Sequence, residues 1–318
     1  MAEFISFGET MMVFSPESPG SLKYKHNYSC KAAGAETNTL IGVQKLGHST
    51  GWLSRLGKDG PGEFVLSQIQ AEGVNTDHVQ LDSCHATGIM LKQLRSHGET
   101  SVFYYRSGSA FCHASLSDAA YRFLSDARLF HFTGITPVLS EACKKELDKI
   151  LVFCRAKKIP VSFDPNVRLK LWKNKDYRDL MKRYITLSDY VMLGAKEAGI
   201  IFGEASIEGF AAKIWNIAPS LSFLAIKNGA EGAYVYDKTD AHFIKPYPCT
   251  PIDPVGAGDA FNAGFLAGIL EGQDLKTCGR IAAICGALAT ETVGDIEGLP
   301  GREELMYHLA SSPLPPER

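Results

Sequence analysis

From residue 128 onward the chain alternates between short apolar runs and amphipathic stretches of helical period, an order that restricts the fold more than any other feature. Leu129–Thr133 is expected as a strand, Ser140-Glu141 opens a helix reaching about Lys158, and 160–164 is a strand again. Residues 190–193 and 223–227 repeat the strand pattern, with helices expected near 177–187, 196–202 and 206–218. Strands joined through helices run parallel, and a parallel sheet must be covered on both faces. The fold class is therefore α/β, with ligand sites at the carboxyl ends of the strands. Phe4–Phe7 supplies a further strand that ends at Gly8-Glu9, so Glu9 either faces such a site or is a solvated loop acid.

Composition narrows the function. A chain of 318 residues, 45% hydrophobic and 21% charged, holds enough apolar material for a large core. A net charge of -2 gives no electrostatic case for nucleic acid or an anionic membrane. No apolar run approaches the roughly 18 residues of a span, and no basic region precedes an apolar N-terminal core. The expectation is a soluble, cytoplasmic protein with no membrane or nucleic-acid partner. Eight cysteines include no CxxC pair and are expected as free thiols, and the histidines lack HExxH or any other close ligand grouping. GxxxxGK[ST] is absent, so an ATP enzyme on this chain needs another way to hold phosphates.

Residues 253–270, DPVGAGDAFNAGFLAGIL, offer one. A loop containing Pro254, Gly256 and Gly258 delivers the chain into a helix, whose first N–H groups lack partners and carry about half a positive charge. Phosphate suits such a place, and small residues let it approach. Asp259 then either caps the helix or serves as a base that takes a proton from an attacking hydroxyl. Gly34 precedes a helix expected over 39–46 and closed by Gly47; it permits close approach of a ligand or is a plain turn, and Asn38 can bond a hydroxyl. TGIMLKQLR and TSVFYYR, on either side of the polar SHGE at 96–99, are expected as a β-hairpin. Alternation puts Val102, Tyr104 and Arg106 on one face, either a wall for a polar or anionic ligand or a half-solvated strand. At the end of the 160–164 strand, Asn166 and Arg168 are expected to point into the cleft that Gly256 lines. A guanidinium there suits a carboxylate or phosphate better than a neutral hydroxyl. The turn from Lys227 to Gly232 can wrap a ribose or phosphate, or merely reverse the chain.

DPVGAGDAFNAGF closely resembles the C-terminal signature of the ribokinase-like (PfkB) carbohydrate kinases. The segment through Gly47 with GWLSRLGKDGPGEFV, including Gly57, Asp59 and Gly62, resembles their N-terminal signature. The likeness implies a three-layer α/β/α sandwich in one domain, residues 1–318, with a small lid inserted from about 10–30 and 87–110. It implies that Asp259 is the catalytic base, that Gly256, Ala257 and Gly258 form the anion hole, and that Gly34, Asn38 and Asp253 adjoin the sugar. FDPNVR and YYRSGSA are similar to the 2-keto-3-deoxygluconate kinase branch, in which the residues matching Tyr104, Arg106 and Arg168 surround a sugar acid. Met90 departs from relatives that carry tyrosine there. On the nucleotide side the likeness implicates Asn166, Arg168, Gly194, Lys227, Gly229, Gly232, Ala283 and Gly286. Glu197 would reach magnesium through water, although Gly194 replaces the asparagine of the family's Asn-x-x-Glu. ATP, Mg²⁺, a monovalent cation and a homo-oligomer complete what the resemblance implies. The expected activity is transfer of the γ-phosphoryl group of ATP to the 6-hydroxyl of 2-keto-3-deoxygluconate. A fructokinase or ribokinase is the nearest rival, set back by the cost of leaving Arg106 and Arg168 buried and unpaired. A sugar sensor on an inactive kinase scaffold conflicts with the intact GAGD. A dinucleotide oxidoreductase lacks GxGxxG after the first strand.

Overall fold

The computed structural model describes residues 2–95, 101–173 and 175–311. Its main sheet has nine strands: β1 (Phe4–Phe7), β4 (Thr50–Gly57), β5 (Val79–Asp82), β8 (Leu129–Thr133), β9 (Val161–Asp164), β10 (Tyr190–Gly194), β11 (Phe223–Lys227), β12 (Ala233–Tyr236) and β13 (Ala241–Ile244). They lie in the order β13-β12-β11-β10-β9-β8-β1-β4-β5. All neighbours are parallel except β11–β12 and β12–β13, because a three-residue turn at 229–231 cannot make a crossover.

Side chains alternate between two helical layers. Ile5, Phe7, Phe130, Phe132, Phe163, Leu193 and Ile226 bury against α5 (Glu141–Lys157), α7 (Arg178–Thr186), α8 (Ala195–Phe202) and α9 (Ile207–Ile217), joined by the shorter α3 (Asp118–Leu124), α4 (Thr136–Leu139) and α6 (Leu169–Trp172). Phe4, Trp52, Met192 and Ala225 face the other way, against α1 (Ala35–Lys45), α2 (Gly60–Ala71), α10 (Ala257–Leu270) and α11 (Leu275–Ala289). α12 (Arg302–Ser311) packs on α11 through Leu305. This is the expected parallel sheet covered on both sides. The helix expected over 39–46 starts earlier, at Ala35, with Gly34 as its N-cap.

The second sheet, in the order β3-β2-β6-β7, is the lid: β2 (Met11–Pro16), β3 (Tyr28–Ala33), β6 (Ile89–Gln93) and β7 (Ser101–Tyr105). The expected hairpin pairs Met90 with Tyr104 and Leu91 with Phe103; its connection at 96–99 lies outside the described residues. Met11, Val13, Ala33 and Met90 bury on one lid face with Val102 and Tyr104 beside them, while Phe103 and Tyr105 are exposed on the other. Asp59 fastens the lid to the main sheet. It caps α2 by accepting from Gly62 N at 2.8 Å and also accepts from Thr87 N and Thr87 Oγ1, at 2.9 and 2.8 Å. The Gly-x-Asp-x-x-Gly pattern is thus structural, since a Cβ at Gly62 would stand 2.1 Å from Gly57 O. Among the described residues, no helix is long and apolar enough to cross a membrane, the cysteines are free, and no group of three metal-binding side chains forms.

Candidate active site

The loop before α10 meets the carboxyl ends of β9 and β11 and the N-terminus of α1. Gly256 is the N-cap of α10, in the left-handed region at φ 80°. A Cβ there would lie 2.5 Å from Asp295 O, so both conformation and crowding demand glycine. The N–H groups of the first turn, from Ala257 to Asp259, precede the first intrahelical donor, Ala260 N, which bonds Gly256 O at 2.8 Å.

Asp259 follows one turn in, and its side chain is buried rather than turned back as a cap. Asn38 Nδ2 donates to its Oδ2 at 2.8 Å and Asn166 Nδ2 approaches Oδ1 at 3.4 Å. Burial pushes the carboxyl up, the bond from Asn38 opposes that, and the neighbouring Asp164 charge adds to it, leaving Asp259 near a pKa of about 7. A carboxylate so poised exchanges a proton readily near neutral pH. The Oδ1 atoms of Asn38 and Asn166 are both buried and lack partners among the described residues. Asn166 also holds a left-handed backbone, φ 39°, fixed by its N–H to Asp164 Oδ1 at 2.9 Å.

Beneath them lies a charged pair of which the sequence singled out Lys227 alone. Lys227 Nζ sits 2.9 Å from Asp164 Oδ2 and 3.0 Å from Asn262 Oδ1, and Asn262 Nδ2 donates to Asp164 at 2.6 Å. Burial alone would lower the Lys227 ammonium, but the Asp164 and Glu197 carboxylates outweigh it and hold it above its ordinary value. Asp164 is held below its own against burial, chiefly by Lys227. Glu197 accepts from Val167 N at 2.6 Å and Gly194 N at 2.7 Å, while burial and then Asp164 raise its carboxyl. Glu36, also unread in the sequence, is buried and takes both threonine hydroxyls of 133 and 136, at 2.7 and 2.8 Å. Only spacing could have revealed these groups: Asp164 two residues before Asn166, and Asn262 three after Asp259.

The two arginines require correction. Arg106 is buried but paired: its Nε donates to Glu9 Oε2 at 2.6 Å, its Nη2 lies 2.5 Å from the same oxygen, and Ser109 Oγ donates to Oε1 at 2.5 Å. Glu9 is therefore no solvated loop acid, and the cost of an unpaired Arg106 does not arise. Arg168 is exposed, because it is the N-cap of the short α6 where the chain leaves the sheet, and its side chain has no hydrogen bond or ion pair among the described residues. Its charge still reaches Asp259. Tyr104, half-buried, lies under the Arg106 guanidinium, 5.6 Å from ring centroid to Cζ.

Other candidates occupy structural positions. A Cβ at Gly34 would lie 2.5 Å from Glu9 O and 2.8 Å from Thr10 Oγ1, so crowding within the protein already demands glycine. Asp253 accepts from Val255 N at 3.1 Å and Gly294 N at 3.4 Å, joining two loops. Gly229 and Gly232 turn the chain at φ 57° and 98°, and Asn228 N closes on Gly232 O at 2.8 Å. Gly286, one turn after Ala283 on α11, adjoins the start of α10: a Cβ there would lie 3.2 Å from Ala257 O.

The family model described as pfkB family carbohydrate kinase matches residues 1–302. The chain belongs to that family. This carbohydrate kinase is 34% identical to a 2-dehydro-3-deoxygluconokinase of Bacillus subtilis, over 96% of this chain and 95% of that protein. It is 27% identical to fructokinase-2 of Solanum habrochaites, over 95% and 94%. Among solved structures, it resembles a putative ribokinase II from E. coli in complex with ATP and Mg²⁺, with a TM-score of 0.88, 23% identity, and 98% and 100% of the two chains covered. That last likeness concerns the fold.

Proposed function

We propose that this PfkB kinase transfers the γ-phosphoryl group of ATP to the terminal hydroxyl, O6, of 2-keto-3-deoxygluconate. The observation that carries this is the buried Asp259, poised near pKa 7 between Asn38 and Asn166, at the first turn of α10. Asp259 takes the hydroxyl proton as the oxygen attacks the γ-phosphorus; the bond to the β,γ-bridging oxygen breaks and ADP leaves. The N–H groups of residues 256–258 stabilise charge on the transferring group. Glycines at 256 and 258 leave that space open, and Lys227 adds positive charge next to Gly258, whose Cβ would lie 3.6 Å from Nζ. The turn at 227–232 and the small residues Ala283 and Gly286 line the nucleotide side. The orphaned Asn166 Oδ1 and the carboxylate of Glu197 suit a hydrated Mg²⁺, which supplies charge neutralisation of the phosphates when bound.

Two features support a sugar acid over a neutral sugar: the likeness to a 2-dehydro-3-deoxygluconokinase, and Arg168, whose side chain has no partner among the described residues, whose charge reaches the base and which suits a carboxylate. Tyr104 and Arg106 line the lid side, and Gly34 and Asn38 the floor. The second reading, a fructokinase-like kinase, draws support from the plant relative and from Glu9, which already neutralises Arg106. We place the enzyme in the cytoplasm as one domain and as a homo-oligomer, supported by exposed Phe103 and Tyr105 on the outer lid face. ADP release from ATP across a panel of sugar acids and neutral sugars tests the substrate. Faster turnover of fructose or ribose than of any acid would replace the first reading with the second.

A further inference from the structure

Two ammonium groups fasten the lid to the loop behind the phosphoryl-binding turn. Lys92 on β6 shares a lid face with Met90, and β7 carries Val102 and Tyr104 on that face; the register pairs Lys92 with Val102. Lys92 Nζ lies 2.9 Å from Asp295 Oδ1, and the two side chains are only 10% and 12% exposed. Lys31 on β3 reaches Val293 O at 2.9 Å and Glu297 at 2.7 Å.

Asp295 in turn touches the phosphoryl-binding turn, since its carbonyl is the atom that a Cβ at Gly256 would strike. The two loops are sewn together: Ile252 N and Asp253 N both donate to Thr290 O, at 2.7 and 3.0 Å, and Gly294 N donates to Asp253 Oδ2. A continuous run of contacts, Lys92 to Asp295 to Gly256, therefore links the acceptor face of the lid to the first turn of α10. Apolar contact already seats the lid on the main body, since Met12 and Ala32 pack in one cluster with Val65 and Ile69 of α2, so this buried ion pair is not needed to close it. Such a pair is a better device for fixing geometry than for adding stability.

We propose that Lys92 and Asp295 are positioning residues that couple acceptor occupancy under the lid to the geometry of the turn at 256–258. The inference rests on the kinase reading above. Neither side chain touches reacting atoms. Coupling between two binding sites is reciprocal, so the acceptor tightens ATP by the factor by which ATP tightens the acceptor.

The test is calorimetric. The Kd of a non-hydrolysable ATP analogue is measured with and without saturating 2-keto-3-deoxygluconate, using the full chain as wild type, Lys92→Met, Asp295→Asn, the double variant, Lys92→Arg and Lys45→Met. The ratio of the two Kd values within one variant reports coupling, and reduced stability alone does not mimic its loss. The wild-type ratio is expected to be about fivefold or more, within the usual range. Lys92→Met and Asp295→Asn should each bring it near one, the double variant no lower, and Lys92→Arg should restore much of it. Lys45 reaches the same loop from α1, at Ile296 O, not from the lid, so Lys45→Met should keep the ratio. A wild-type ratio of one, an undiminished ratio in Lys92→Met, or an equal loss in Lys45→Met overturns the proposal. Wild-type turnover is measured alongside: no phosphorylation of any sugar refutes the kinase reading itself, whereas normal turnover with unaltered coupling refutes only the latch.

Discussion

Replacing Asp259 by asparagine should destroy turnover while making the protein more stable at alkaline pH. The carboxyl rises from 3.8 to about 7 on folding, a shift of about 3 units. At about 1.36 kcal/mol per unit, the ionised form costs the folded state up to about 4 kcal/mol. The sign follows from proton counting. Between pH 4 and 7 the folded state binds more protons at this site than the unfolded one, so its contribution is favourable in acid and is lost as pH rises through that window. Asparagine does not ionise, and it keeps nearly the same shape between Asn38 and Asn166. For 318 residues, an unfolding entropy of about 2.1 cal/mol/K per residue turns about 4 kcal/mol into about 6 °C. Thermal melts of both proteins at about pH 5 and pH 8 should therefore show the variant gaining several degrees on the wild type between the two. Its kcat at pH 8 should fall by roughly 10²–10⁴, with ATP binding nearly intact. A variant retaining more than about a third of wild-type kcat would show that Asp259 is not the base, and a pH-independent difference in Tm would show that its burial does not raise its pKa.

Further expectations test the surrounding groups. Asn38→Leu removes the hydrogen bond that holds the Asp259 pKa down, so the acid limb of the kcat/KM profile should move to higher pH; an unmoved limb refutes that role. Gly256→Ala places a Cβ 2.5 Å from Asp295 O at a left-handed residue, which costs at least about 1–2 kcal/mol; denaturant melts without a loss contradict the crowding. Arg168→Ala should depress kcat/KM for the sugar acid by about 10-fold or more and that for fructose far less, with ATP KM measured in parallel to separate a role toward the nucleotide, which the family likeness also implies for Arg168. Tyr104→Phe should raise the acceptor KM more than the ATP KM, and equal losses would point to a folding role for the lid hairpin.

The layers of the fold were legible because their causes are local. Short apolar runs such as Leu129–Thr133 and the Ser140 cap of α5, which accepts from Cys143 N at 3.0 Å, mark strands and helix starts without any tertiary information. Asp259 stood out through the glycine-rich turn before it. What the sequence could not convey was pairing across long separations. Glu9 meets Arg106 over 97 residues, and Lys227 meets Asp164 over 63; both reverse or enlarge a reading made from isolated residues. Arg106 looked like an unpaired cation only because nothing near it in the chain reveals Glu9. Arg168 looked buried because it follows a buried strand, yet α6 starts there and carries it to the surface.

The central claim, a sugar-acid kinase, is tested most directly by one competition. Equal concentrations of 2-keto-3-deoxygluconate and fructose share limiting ATP and the wild-type protein, and the ratio of phosphorylated products gives the ratio of the two kcat/KM values. The account predicts that the product is mainly the 6-phosphate of the acid, and a mixture dominated by fructose phosphate would contradict it.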